Sequence, residues 1–107
     1  MKQLYDEISN QTASLITKKY STSFSLAVSL LDRSIRQDVY NIYGFVRVAD
    51  EIVDSFEGYP QEKLLKRFWS DTFESIDEKI SLNPILNSFQ QVVNTYKIDH
   101  DLIETFL

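Results

Sequence analysis

Between Arg33 and Phe56 the apolar residues Ile35, Val39, Ile42, Val46, Ala49, Val53 and Phe56 follow one another at spacings of four and three. That alternation is the period of an α-helix, not of a strand. Phe45, Val48 and Ile52 widen the same face. The apolar arc then covers about half of the helix circumference, against about 100° on an ordinary surface helix. A helix of this kind sits mostly inside something, so the chain around it must supply helices to cover it.

The remaining sequence meets that demand. Helical periodicity predicts a first helix over residues 5–19, with Leu4, Ile8, Leu15 and Ile16 as its apolar residues, and a short one over 25–31. Asp32 is placed to cap the long helix over 33–56, which Gly58 and Pro60 terminate. A fourth helix is expected over 61–80. A fifth follows over 84–97, with Asn83 as cap and Pro84 at its first position. A sixth begins at His100 behind Asp99. With only 2 Gly and 2 Pro in 107 residues there is little room for a design with many hairpins. The expectation is one all-α helical bundle.

Net charge of −5 leaves no basic footprint for a nucleic-acid backbone, and that partner class is not expected. The chain has no cysteine, which removes thiol catalysis and fits a reducing compartment. Its first residues form no signal-peptide core, and its apolar runs are too short to span a bilayer. A cytoplasmic protein is the expectation, with a peripheral membrane contact left open. The last residues, Glu104-Thr105-Phe106-Leu107, stop inside an apolar pattern. This reads either as a piece of a longer protein or as a docked terminal helix.

Beside the apolar arc of the long helix lie Tyr43, Arg47, Asp50 and Asp54, spaced four, three and four apart. They fall within about 60° of one another. Arg36 continues their line, and Glu51 falls off it toward the solvent arc. Two carboxylates four apart repel, and more so when partly desolvated. Arg47 can answer them through ordinary salt bridges to Asp50 or Asp54. A divalent cation can answer them too, since Mg²⁺ takes hard oxygen ligands, commonly one or two carboxylates plus substrate phosphates. Spacing alone leaves both readings open.

The string Tyr43-Gly44-Phe45-Val46-Arg47-Val48-Ala49-Asp50-Glu51-Ile52-Val53-Asp54 resembles the first aspartate-rich motif of the squalene/phytoene synthase family, an aromatic, an Arg and then D-[DE]-x-x-D. Upstream, Tyr20-Ser21-Thr22-Ser23-Phe24-Ser25, followed by Leu30-Leu31 and Arg36, resembles that family's S-x-S-F segment in the same order. The phytoene or dehydrosqualene synthase branch, which serves carotenoid biosynthesis, is the nearer one. The resemblance implies an isoprenoid (terpenoid) synthase fold, of which residues 1–107 would be the N-terminal portion of a single domain. It implies a Mg²⁺-dependent prenyltransferase that joins two prenyl diphosphates (farnesyl or geranylgeranyl diphosphate) head to head.

Carried over by position, Asp50 and Asp54 would hold Mg²⁺, two or more ions with the diphosphate. Arg47 would act with them as a catalytic group and contact the diphosphate. Tyr43, Tyr20, Ser21, Ser23 and Phe24 would line the substrate site. Ser21 and Ser23 would precede a short helix, where a plain capping role is equally open to them. Phe24, Val28, Phe45 and Val46 could wall off a carbocation or belong to the core. NADPH is not among the expected cofactors, although whether a reduction follows is not readable.

Glu51 stands where many relatives carry Asp. The family's second acidic helix has no counterpart here: Asp71, Asp77-Glu78 and Asp99-His100-Asp101 lack its D-x-x-x-D stripe. The expectation is therefore half a site, inactive on its own, in a piece that self-associates through uncovered apolar faces. A non-catalytic helical interaction module is the alternative.

Overall fold

A computed structural model describes residues 1–107 as six helices and no strand: α1 (Lys2–Tyr20), α2 (Thr22–Val28), α3 (Arg33–Ser55), α4 (Gln61–Glu78), α5 (Pro84–Tyr96) and α6 (His100–Phe106). Three of the starts carry the expected caps. Asp32 accepts from Ser34 N, Asn83 from Ile85 N and Leu86 N, and Asp99 from Asp101 N. Each satisfies donors that a helix start leaves free. α4 and α5 end on Lys79 and Lys97, both left-handed, positions where glycine is usual and which the sequence did not announce. Gly58 takes a positive φ of 85° in the turn after α3.

The packing gives the direction of each helix. Asn10 meets Asn41, Ala13 meets Gly44 and Tyr20 meets Arg47, so α1 and α3 run the same way, with α2 carrying the chain back. Ile85 lies on Gly44 and Tyr96 on Asp38, so α5 runs against α3. α4 also runs against α3: Gln61 donates to the carbonyls of Ile52 and Val53, and Phe68 reaches Phe45. Phe45 is the centre of the core. Its ring stacks on Phe89 at 3.8 Å and on Phe68 at 5.3 Å, and Phe106 of α6 stands at 5.9 Å. Ring pairs of this kind add to what burial alone contributes. Gly44 is needed because a Cβ there would lie 3.2 Å from Ala13 Cβ and 3.3 Å from its Cα.

Three expectations are corrected. The inner face of α1 is not its apolar stripe. Ser9, Ala13 and Thr17 are fully buried, while Leu4, Ile8 and Leu15 face outward. Small residues win because they let α1 approach α3 closely. The buried hydroxyls remain satisfied by bonding one turn back, Ser9 to Tyr5 O and Thr17 to Ala13 O.

The second correction concerns α3, which is less enclosed than its wide arc implied. Asn41, Gly44, Phe45, Ala49 and Ile52 are buried, but Ile35, Ile42 and Val53 are exposed. The third concerns α2, which begins at Thr22 rather than Ser25, because Ser21 accepts from Phe24 N and starts the helix early.

Candidate functional site

The site candidates gather where the end of α1, the start of α2 and the second half of α3 meet. Arg47 is the hub. Its guanidinium carbon lies 4.9 Å from the centre of the Tyr20 ring, a cation–π contact across the two helices. Its Nη2 donates to Glu51 Oε2 at 3.0 Å and stands 4.0 Å from Asp54 Oδ2. One turn earlier, Tyr43 stacks on Phe24 with ring centres 4.8 Å apart, tying α3 to α2. The structure thus brings Tyr20, Phe24, Tyr43, Arg47 and Asp54 into one neighbourhood. Asp50 is half-buried on the same face of α3, with no ion pair to Arg47.

Glu51 is the residue that sequence reasoning misplaced. It lies not toward solvent but against the Arg47 guanidinium, with a side chain 19% exposed. Hydrogen bonding from Ser55 holds its carboxyl below the usual range, with further help from Tyr20 and Arg47, against the opposing pull of partial desolvation. The same contact pushes the Tyr20 phenol up: the hydrogen bond to Glu51 comes first, then desolvation and the nearby negative charge, with Arg47 opposing. The available signal was the i, i+4 spacing of Arg47 and Glu51 together with the aromatic at Tyr20. The first is visible in sequence, and the second only once α1 and α3 are side by side.

Ser21 spends its hydroxyl on capping α2, and Ser23 lies exposed in the first turn of that helix. Arg36, expected to extend the polar line, instead donates from Nε to Leu31 O at 2.9 Å. Of the suggested wall residues, Phe45 and Val28 are core. Val46 lines an apolar cavity of about 170 Å³ together with Ile42, Phe89 and Phe106.

Two features separate this ledge from a finished structural network. Arg47 Nε–H is buried and has no acceptor. Asp54 faces Arg47 only at 4.0 Å and remains 65% exposed. Donor and carboxylate sit together without using each other up, an arrangement suited to a group that brings both oxygen acceptors and positive charge. No cluster of three or more His, Cys, Asp or Glu side chains stands close enough to hold a metal by itself.

The family model described as squalene/phytoene synthase matches residues 17–107. Neither a curated protein nor a solved structure matches the chain.

Proposed function

The chain belongs to the squalene/phytoene synthase family, and on that premise we propose that it is part of an enzyme that condenses two prenyl diphosphates head to head, with the α3 ledge as a diphosphate-binding station. The observation that carries the proposal is the juxtaposition on one helix face of Arg47, whose Nε–H is buried and unanswered, with Asp50 and Asp54, neither of which Arg47 neutralises closely.

The donor set fits Mg²⁺. Two carboxylates one turn apart on a partly open face leave room for phosphate oxygens and water, which Mg²⁺ favours over an all-protein cage. Asp50 and Asp54 would hold it there, and when bound it would supply positive charge that stabilises diphosphate as a leaving group. Arg47 would direct its free N–H at a diphosphate oxygen, and such a donor, fixed in advance in a poorly hydrated place, counts for far more than one in water. Tyr20 and the Phe24–Tyr43 stack would shield that contact from solvent. Ser23 is exposed in the first turn of α2 and would donate to the same anion.

The ledge offers one acidic pair, and in this reading a second one must face it for ionisation. The 107-residue chain is therefore expected to bind substrate without turning it over, and measurable coupling of farnesyl diphosphate by it would refute that expectation. No helix is long and apolar enough to cross a membrane. The reading places the protein in the cytoplasm, with a membrane-surface contact compatible with its apolar substrates.

The test is calorimetric titration with a non-hydrolysable farnesyl diphosphate analogue, with and without Mg²⁺. Metal-dependent binding that disappears in Asp50→Ala and Asp54→Ala supports the site, and binding indifferent to both changes removes it. The outward Leu4, Ile8 and Leu15 favour one second reading, a helical module that self-associates and catalyses nothing. That reading predicts concentration-dependent dimerisation with no response to Mg²⁺ or diphosphate.

A further inference from the structure

Glu51 sits against Arg47, whose guanidinium lies under the Tyr20 ring, yet neither the metal nor the diphosphate role requires it. Its neighbours show what it does there. An arginine side chain has four rotatable bonds and, left alone on a helix, samples many positions. Here the guanidinium is held on two sides. The Tyr20 ring lies 4.9 Å from its carbon, and Glu51 Oε2 accepts from Nη2 at 3.0 Å. The Tyr20 ring from α1 and the Glu51 carboxylate from α3 thus hold the guanidinium between them. The consequence falls on Nε, which is buried with its N–H unspent.

A carboxylate that only neutralised charge could have met the guanidinium through the Nε–H as well. Glu51 takes Nη2 and leaves that donor open. An unanswered buried donor is destabilising. The fold tolerates that cost at a place where an incoming oxygen would remove it.

We propose that Glu51 is a positioning residue: together with the Tyr20 ring on Arg47, it fixes the guanidinium so that Nε–H stays free for a diphosphate oxygen. This rests on the proposed diphosphate reading of the ledge. Glu51 touches no substrate and acts through Arg47. Its carboxylate repels the anion it helps to bind, so the gain must come from order imposed on Arg47. That makes the inference easy to separate from simple charge attraction, under which removal of Glu51 would tighten anion binding.

The experiment uses the 107-residue chain, Mg²⁺ with inorganic pyrophosphate as probe, and two readouts: the ¹H–¹⁵N signal of Arg47 Nε, assigned by its loss in Arg47→Ala, and the dissociation constant. In the wild type the Nε signal should be sharp without ligand and should shift on titration. Glu51→Ala should broaden it and weaken pyrophosphate binding on the order of tenfold, as loss of an orienting partner typically does. Glu51→Gln retains an acceptor for Nη2 and should recover most of the affinity. Circular dichroism of all variants checks that the helices persist.

If wild type binds and Glu51→Ala binds equally well or more tightly, the positioning role is overturned while the diphosphate site stands. A sharp Nε signal in Glu51→Ala overturns it as well. If wild type and Arg47→Ala alike ignore pyrophosphate, the diphosphate reading itself fails, and the inference with it.

Discussion

Two regions of this small bundle bury polar side chains, and they do so in opposite ways. Within the Asn87 network on α5 each amide group is answered, although one turn on Gln91 Nε2 is buried without an acceptor, as is Ser25 Oγ on α2. The Asn87 amide donates to Asp6 Oδ1 at 2.9 Å and to Ser9 Oγ at 3.0 Å, and its oxygen accepts from Ser81 N and Gln90 Nε2. Asp6, steadied by Lys2 and Asn87, is held below the usual carboxylate range despite partial desolvation. Around Arg47 on α3 the accounts stay open: Nε–H has no acceptor and Asp54 is kept at 4.0 Å. A closed network specifies how α1, α5 and the turn before α5 fit together. An open one beside two carboxylates costs stability and is kept where a ligand completes it. On the proposed reading the first region serves the fold and the second serves ligand binding.

That comparison can be broken, and the largest effect should come from the open region. Asp50→Ala or Asp54→Ala should weaken Mg²⁺-dependent binding of the farnesyl diphosphate analogue on the order of 10²–10³-fold, with the melting temperature nearly unchanged because neither carboxylate is tied into the fold. A marked drop in melting temperature would return both to the structural side. The closed region should behave in the reverse manner. Asn87→Ala removes a donor from Asp6 and Ser9 and an acceptor from Ser81 N and Gln90, and should cost about 3 kcal/mol. For a domain of this size that lowers the melting temperature by roughly 15 °C, with pyrophosphate affinity unchanged where the chain is still folded.

Gly44→Val sharpens the link between the two. It forces a branched side chain against Ala13 and should destabilise by about 1–3 kcal/mol. Because it pushes α1 away from α3, it should also loosen Tyr20 over Arg47, seen as a broadened Arg47 Nε signal. The smallest effect belongs to neither region. Glu74 is pushed above the ordinary glutamate range, first by its hydrogen bond with Glu78 and then by the repulsion between them, with desolvation and Asp71 adding to the shift. The folded chain then holds that proton more tightly than the unfolded one, so this contribution to stability is present at low pH and is lost as pH rises through the folded value. Glu74→Gln should flatten that slope and raise the melting temperature slightly at neutral pH.

Much of the fold was legible from residue spacing, because helix periodicity and the caps Asp32, Asn83 and Asp99 act locally. What escaped depended on contacts between helices. α1 shows Leu4, Ile8 and Leu15 to any pattern search, yet it packs through Ser9, Ala13 and Thr17, since Gly44 on α3 invites a close approach that large residues would block. The site divides along the same line. Tyr43, Arg47, Asp50 and Asp54 share a helix face and could be grouped from sequence. Glu51 could not, because it turns toward an Arg47 guanidinium that lies under Tyr20, twenty-seven residues before Arg47 and on another helix. Ser21, read as a ligand candidate, is visibly a cap only once Phe24 N is found on its hydroxyl.

The central claim, that the ledge of α3 is open for a ligand while the Asn87 network is closed, is tested most directly by mapping backbone amide shifts during a titration with Mg²⁺ and inorganic pyrophosphate. The account predicts shifts confined to residues 20–24 and 43–55, with residues 81–94 silent. Shifts centred on residues 81–94, or spread evenly over the six helices, would contradict it.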